Sequence, residues 1–394
     1  MSCSVPAVRR ALLGAAVALA ACGLIAPVTA DAARPAAPAG LAFYSPPKRL
    51  LAGPHGSVIW ARAIRSPLSA AGGAHLVLYR STGLDGKPIA VSGTIETPKG
   101  RAPAGGWPVV SWAHGTTGIA DACAPSRIPA ASTSYVYSQF NTWLRRGYAI
   151  ASTDYEGLGT AGVHPYLIGR SEGRGVIDIV RATRGLDSRV GSRWAIAGHS
   201  QGGHAALWAA ALAPSWAPEL SFRGVVAFAP ASHVGTQARV IANLSSPSPI
   251  TGLAALIVAG AAVADPGINL PQLVSDQARP LLPRVYRECI GALVGPNEFG
   301  ALAPSQLARP GADLSRLIRV LDAQNPALRI RAPVLIAQGA ADTTVFPVFT
   351  TQLVGELKAK HDAVTYRTYP GVNHGGIVTA GASAATAFLA ARLR

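Results

Sequence analysis

The sequence is short of acidic residues, of lysine and of cysteine. Its 394 residues hold 19 Asp and Glu against 35 Lys and Arg, and lysine stands only at positions 48, 87, 99, 358 and 360. The formal charge of +16 is therefore almost all arginine. No basic run or arm gathers that charge, so no nucleic-acid partner is expected, and what remains is a solvated surface with some affinity for anionic envelopes. No H-E-x-x-H and no paired cysteine cluster is present, so no metal is expected. No period in the range of roughly 20–50 residues stands out, so no repeat architecture is read. The apolar run at residues 250–264 is too short and too glycine-broken for a membrane span. It reads as a buried cap helix, or as a lid whose apolar face meets lipid.

Four cysteines are present. Cys3 and Cys22 fall in an N-terminal segment where Arg9-Arg10 precedes small apolar residues over 11–21, the charged and apolar regions of an export signal. Two processing sites compete there. Leu19-Ala20-Ala21-Cys22 resembles a lipobox, whose cysteine would carry a lipid anchor, whereas Val28-Thr29-Ala30 before Asp31 resembles an ordinary small-residue cleavage site. Residues 1–30 are thus read as an export signal and residues 31–55, rich in Ala and Pro, as a linker. The mature protein is expected outside the cytoplasm, secreted or held on the envelope. In that oxidising setting Cys123 and Cys289 most simply form one disulfide bridging core and insertion, with two separate buried thiols as the other reading.

What the chain does have is apolar character, 49% of its residues, enough for a large core. Residues 56–96 alternate in the β manner between glycine and proline turns and read as antiparallel lead-in strands. Near-continuous apolar runs follow at 108–113, 148–152, 194–197, 225–229 and 334–337, mostly alternating with helical stretches, the pattern of a parallel sheet covered on both faces. Between 232 and 325 the strand rhythm stops and helix-like segments replace it. The expected organisation is an α/β core over 56–231 and 326–394, interrupted by a helical cap at 232–325.

Gly198-His-Ser-Gln-Gly-Gly203 carries the chemistry. A G-x-S-x-G arises somewhere in a chain with 42 glycines roughly one time in three, so its context must decide. Trp194-Ala-Ile-Ala-Gly198 reads as a buried strand and residues 203–212 as an alanine-rich helix, which gives the strand-turn-helix that presents Ser200 as a nucleophile. A serine needs a histidine to take its proton and a carboxylate to orient that histidine. Asp342 and His374 follow in that order, each on a loop at the carboxyl end of an apolar strand, on the same rim as Ser200. Asp154 precedes the serine, and His199 and His204 flank the elbow with side chains expected to point elsewhere. The amide of Gln201 supplies one oxyanion donor, and the loop His114-Gly115-Thr116-Thr117-Gly118 the second. Gly157-Leu-Gly159-Thr-Ala-Gly162 matches a dinucleotide fingerprint, but His164-Pro165 follows in place of a helix, so no nucleotide is expected and no cofactor is called for.

These residues resemble the secretory lipases. The resemblance rests on Cys123-Ala-Pro-Ser, on Ser152-Thr-Asp-Tyr-Glu-Gly157, on the helix at 173–184, on the elbow at Ser200 and on the Asp342 and His374 loops. It implies an α/β-hydrolase fold with a helical cap inserted between elbow and acid, Ser200, Asp342 and His374 as triad, and hydrolysis of carboxylic esters or lipids, with a lipid-water interface as a setting. The fungal type carries an acidic residue in its counterpart of the His114-Gly115 loop, and this sequence does not. An acyltransferase or a peptidase using the same triad is the alternative reading.

Overall fold

The computed structural model describes residues 1–4, 35–128 and 133–394. The chain divides into two units, Met1–Arg34 and Pro35–Arg394, and the second carries everything below. The export signal, the lipobox at Cys22 and cleavage after Ala30 fall outside the described residues.

Nine strands form one sheet: β1 (Val58–Ala63), β2 (Ala71–Thr82), β3 (Pro88–Pro98), β4 (Trp107–Ala113), β5 (Ala149–Thr153), β6 (Val190–His199), β7 (Ser221–Phe228), β8 (Val334–Gly339) and β9 (Val364–Tyr369). Their order is β1-β2-β3-β5-β4-β6-β7-β8-β9. β1, β2 and β3 pair antiparallel, as does β3 with β5, and every pairing from β5 to β9 is parallel. The parallel strands are apolar at nearly every position because both faces are covered: β4, β5 and β8 are buried throughout.

Eight helices of eight or more residues appear among the described residues. They are α1 (Tyr137–Arg145), α2 (Gly169–Leu186), α3 (Gln201–Trp216), α4 (Val234–Ile241), α5 (Ile250–Ala264), α6 (Ser315–Asp322), α7 (Pro347–Ala359) and α8 (Ala382–Ala390). One face of the sheet packs Val176 and Ile177 of α2, Ala205 and Ala209 of α3 and Leu353 of α7 against Ile196 and Ile336. The opposite face packs Phe140 and Trp143 of α1 and Leu389 of α8 against Trp112 and Phe228.

Between β7 and β8 the chain forms helices and a single β-bridge between Val274 and Ala308, and the helices gather a separate core around Leu256, Leu293, Phe299 and Leu317 that reaches Tyr166 and Leu167 before α2. The run at 250–264 is the single helix α5, with one side buried in this core. No helix among the described residues is long and apolar enough to cross a membrane. Cys123 and Cys289 form a disulfide with Cα atoms 5.4 Å apart, which ties the loop after β4 to the helical segment.

The linker expected over 31–55 needs correction. Phe43 and Tyr44 are buried, and Phe43 packs with Trp60, Leu76 and Leu78 on β1 and β2. Trp60 Nε1 also donates to the Phe43 carbonyl at 3.0 Å. An Ala/Pro-rich composition hid two aromatic residues that cover the lead-in strands, and burying such rings fixes the segment.

Candidate active site

Ser200 sits between β6 and α3 with φ 59° and ψ −118°, a conformation that a serine adopts only where its surroundings impose it. The crowding around it explains the glycines. A Cβ on Gly198 would stand 2.1 Å from the Gly202 carbonyl oxygen, and one on Gly202 would stand 1.9 Å from that of Ala113. Both are impossible contacts with backbone, so the turn is closed to any other residue. As the first residue of α3, Gln201 has an N–H with no intrahelical acceptor.

The structure brings all three expected catalytic groups together. His374 Nε2 is 2.9 Å from Ser200 Oγ, and His374 Nδ1 is 2.7 Å from Asp342 Oδ2. The second carboxylate oxygen of Asp342 accepts the backbone N–H of Thr344 and of Val345, each at 2.8 Å. Burial alone would raise the Asp342 carboxyl, but the hydrogen bond and charge of His374 and the two backbone donors outweigh it and hold it below the usual carboxylate range. Asp154, by contrast, is buried and accepts from Ser92 Oγ at 2.6 Å and from the Ser126 N–H at 2.9 Å, so its oxygens are committed to β3 and to the loop after β4.

Gly115 and Thr116 line the cavity at the nucleophile, about 320 Å³ in volume, together with Leu253, Ile290 and Thr344. The ring of His114 turns away instead. It is buried 4.4 Å from the Tyr155 ring, its Nδ1–H donates to the Gly115 carbonyl at 2.7 Å, and burial pushes it down to about 4. Of the predicted oxyanion loop, Gly115 and Thr116 therefore face the cavity and the His114 ring does not. A narrower slot of about 100 Å³ runs from Ser200 beneath the helical segment, with apolar walls from Val234, Ile241, Ile257, Val258 and Leu317.

The secretory lipase family matches residues 124–394. This chain belongs to that family. Among its relatives, the lipase A of Moesziomyces aphidis is 30% identical over 277 residues, covering 66% of this chain and 57% of that protein. A Mycobacterium tuberculosis protein named "Probable inactive lipase" is 28% identical over 271 residues, 63% of this chain and 58% of its own length. The chain thus spans a little over half the length of these relatives. Two solved structures share the α/β-hydrolase fold. Candida antarctica lipase A in its closed state matches with a TM-score of 0.74 and 22% identity over 89% of this chain and 86% of that one. The rice cell wall degrading esterase LipA from Xanthomonas oryzae matches with a TM-score of 0.69 and 17% identity over 86% of this chain and 97% of that one.

This member of the secretory lipase family also has a buried polar layer behind the elbow that its sequence did not reveal. Glu172 of α2, fully buried, accepts from Gln201 Nε2 at 2.8 Å and from the Leu167 N–H at 2.9 Å, and its other oxygen lies 3.1 Å from His204 Nδ1. His204 Nε2 faces the Gln324 carbonyl at 2.9 Å. Burial would raise Glu172, yet these donors hold it below its ordinary value. The Gln201 side chain also reaches His164 Nε2 at 2.9 Å. His199, expected to point elsewhere, instead lies 4.7 Å from the His374 ring and donates to the His374 carbonyl at 3.0 Å. Burial first, and then the neighbouring His374, push it down to about 3. It stays a neutral prop for the loop that carries His374.

Proposed function

We propose that this protein hydrolyses carboxylic esters, lipid esters among them, through an acyl-enzyme on Ser200. His374 takes the proton from Ser200 Oγ as the oxygen attacks the ester carbonyl, and Asp342 holds the imidazole by Nδ1 and stabilises it once charged. The collapsing intermediate receives that proton on the departing alcohol. Water, activated by the same histidine, then releases the acid and restores Ser200. The N–H of Gln201 and an N–H of the Gly115-Thr116 loop meet the negative oxygen of each tetrahedral intermediate.

The supporting observation is the unbroken series Asp342–His374–Ser200, with steps of 2.7 and 2.9 Å, opening on an apolar cavity. The apolar slot beneath α5 suits the acyl chain, which makes residues 232–325 a cap over the acyl site. Action outside the cytoplasm fits the N-terminal signal, with Cys22 lipidated or cleavage after Ala30. In a nitrophenyl-ester assay Ser200→Ala should lower kcat by about 10⁶. Turnover equal to the unaltered protein contradicts the assignment.

A further inference from the structure

At the amino end of the sheet, away from Ser200, lies a cleft of about 870 Å³. It is larger than either cavity at the nucleophile. Lys99 and Arg101 come to it from the loop after β3, Arg145 and Arg146 from the end of α1, Arg193 from β6, and Arg394 from the last residue. Trp107, Leu144 and Tyr148, all buried, form its floor. No Asp or Glu lines it. Other arginines of the fold have carboxylate partners, such as Arg181 with Glu219 and Arg316 with Asp265. Among the described residues none of these six cations is paired with an Asp or Glu. Arg193 donates to a main-chain oxygen of Arg394, part of the terminal carboxylate and the one anionic group at the cleft, and Arg145 approaches the neutral Thr142 Oγ1 at 3.5 Å.

We propose that this cleft binds a phosphate-bearing polyanion, as an anchoring site separate from the catalytic one. Six cations against the one terminal carboxylate, on a concave wall of low polarity, focus a positive potential that repels itself until a further anion fills it. Guanidinium forks match phosphate oxygens two at a time, and each phosphate seated releases condensed counterions. The cations face the cleft from four stretches of chain, which suits a strand-like polymer entering it; a flat layer of lipid headgroups would touch only the rim. From Arg193 to Ser200 the chain runs along β6 for roughly 20 Å. A polymer in the cleft therefore leaves the nucleophile open, and the protein can be held on an anionic envelope while it works on neutral esters.

The test is titration of the whole chain with labelled inorganic polyphosphate at several salt concentrations. Arg101→Glu with Arg146→Glu should weaken binding at least roughly tenfold and reduce the salt slope by about two charges. Arg287→Glu with Arg319→Glu, two exposed residues of the helical segment, makes the same change in net charge and should cost less than about threefold. The milder Arg101→Gln with Arg146→Gln should fall between them, and all three should unfold cooperatively. Equal losses for the two Glu pairs would show that net charge alone binds and would overturn the proposal. So would binding to phosphatidylglycerol vesicles without binding to polyphosphate. Because the readout is binding, it stands apart from ester hydrolysis, and each can fail without the other.

Discussion

At Ser200 a serine backbone is held at φ 59° by contacts that leave no room for a Cβ on Gly198 or Gly202, so the side chain is aimed before any substrate arrives. In the proposed mechanism its reactivity depends on Asp342. With the carboxyl held below its usual range by His374 and two backbone donors, Asp342 is ionised across neutral pH and faces His374 Nδ1 at 2.7 Å. Asp342→Asn should lower kcat/KM for nitrophenyl esters about 10⁴-fold by favouring the wrong tautomer, with little change in fold. Glu96 behaves oppositely. It is buried, its Oε2 has no partner, and burial pushes it up to about 8, against which a hydrogen bond with Thr94 pulls only weakly. Between the ordinary Glu value and about 8 the folded chain retains a proton that the unfolded chain has lost, so stability falls as pH rises through that window. Glu96→Gln should flatten this loss, and its Tm advantage over the unaltered protein should widen from pH 5 to pH 8. That Ser200, Asp342 and His374 meet was legible in the sequence because each ends an apolar strand in the right order. Glu172 was not, because its partners Gln201 and His204 lie 29 and 32 residues away, and only the packing of α2 on α3 joins them.

Among the elements, the loop after β4 links the disulfide to the proposed oxyanion site. Gly118 has φ +132°, and a Cβ there would stand 2.9 Å from Cys123 Sγ. The Ile290 N–H donates to the Thr117 carbonyl at 2.9 Å, one residue past Cys289. The bridge thus pins the loop that presents Gly115 and Thr116, besides closing a span of 166 residues in the unfolded chain. Cys123→Ser with Cys289→Ser should lower Tm by roughly 5–10 °C, and should lower kcat more than it raises KM, because the loop serves the intermediate rather than the bound ester. Thermal melts and steady-state kinetics on one preparation test both. The sequence made the parallel strands plain, since strands covered on both faces are apolar without alternation. It concealed the ordering of Phe43 and Tyr44, whose partners Trp60 and Leu78 belong to another element and leave no local period to read.

For the whole molecule, a sheet with chemistry at one end and arginine at the other divides two tasks that a uniform basic surface would blur. The scattered arginines looked like a solvated surface in the sequence because no run of them is contiguous; the fold collects six cations, five of them arginine, from separate segments into one cleft. The same topology sets β6, β8 and β9 in one parallel array so that Ser200, Asp342 and His374 meet on one rim. On the proposed mechanism that meeting activates Ser200 as the nucleophile, and it can be measured without knowing the natural ester. A fluorophosphonate probe reacts with a serine whose proton a histidine removes, and peptide mapping locates the adduct. Labelling should fall on Ser200 alone and should drop by orders of magnitude in His374→Ala. No adduct at Ser200, or equal labelling in the histidine variant, would contradict the assembled triad as the source of activity.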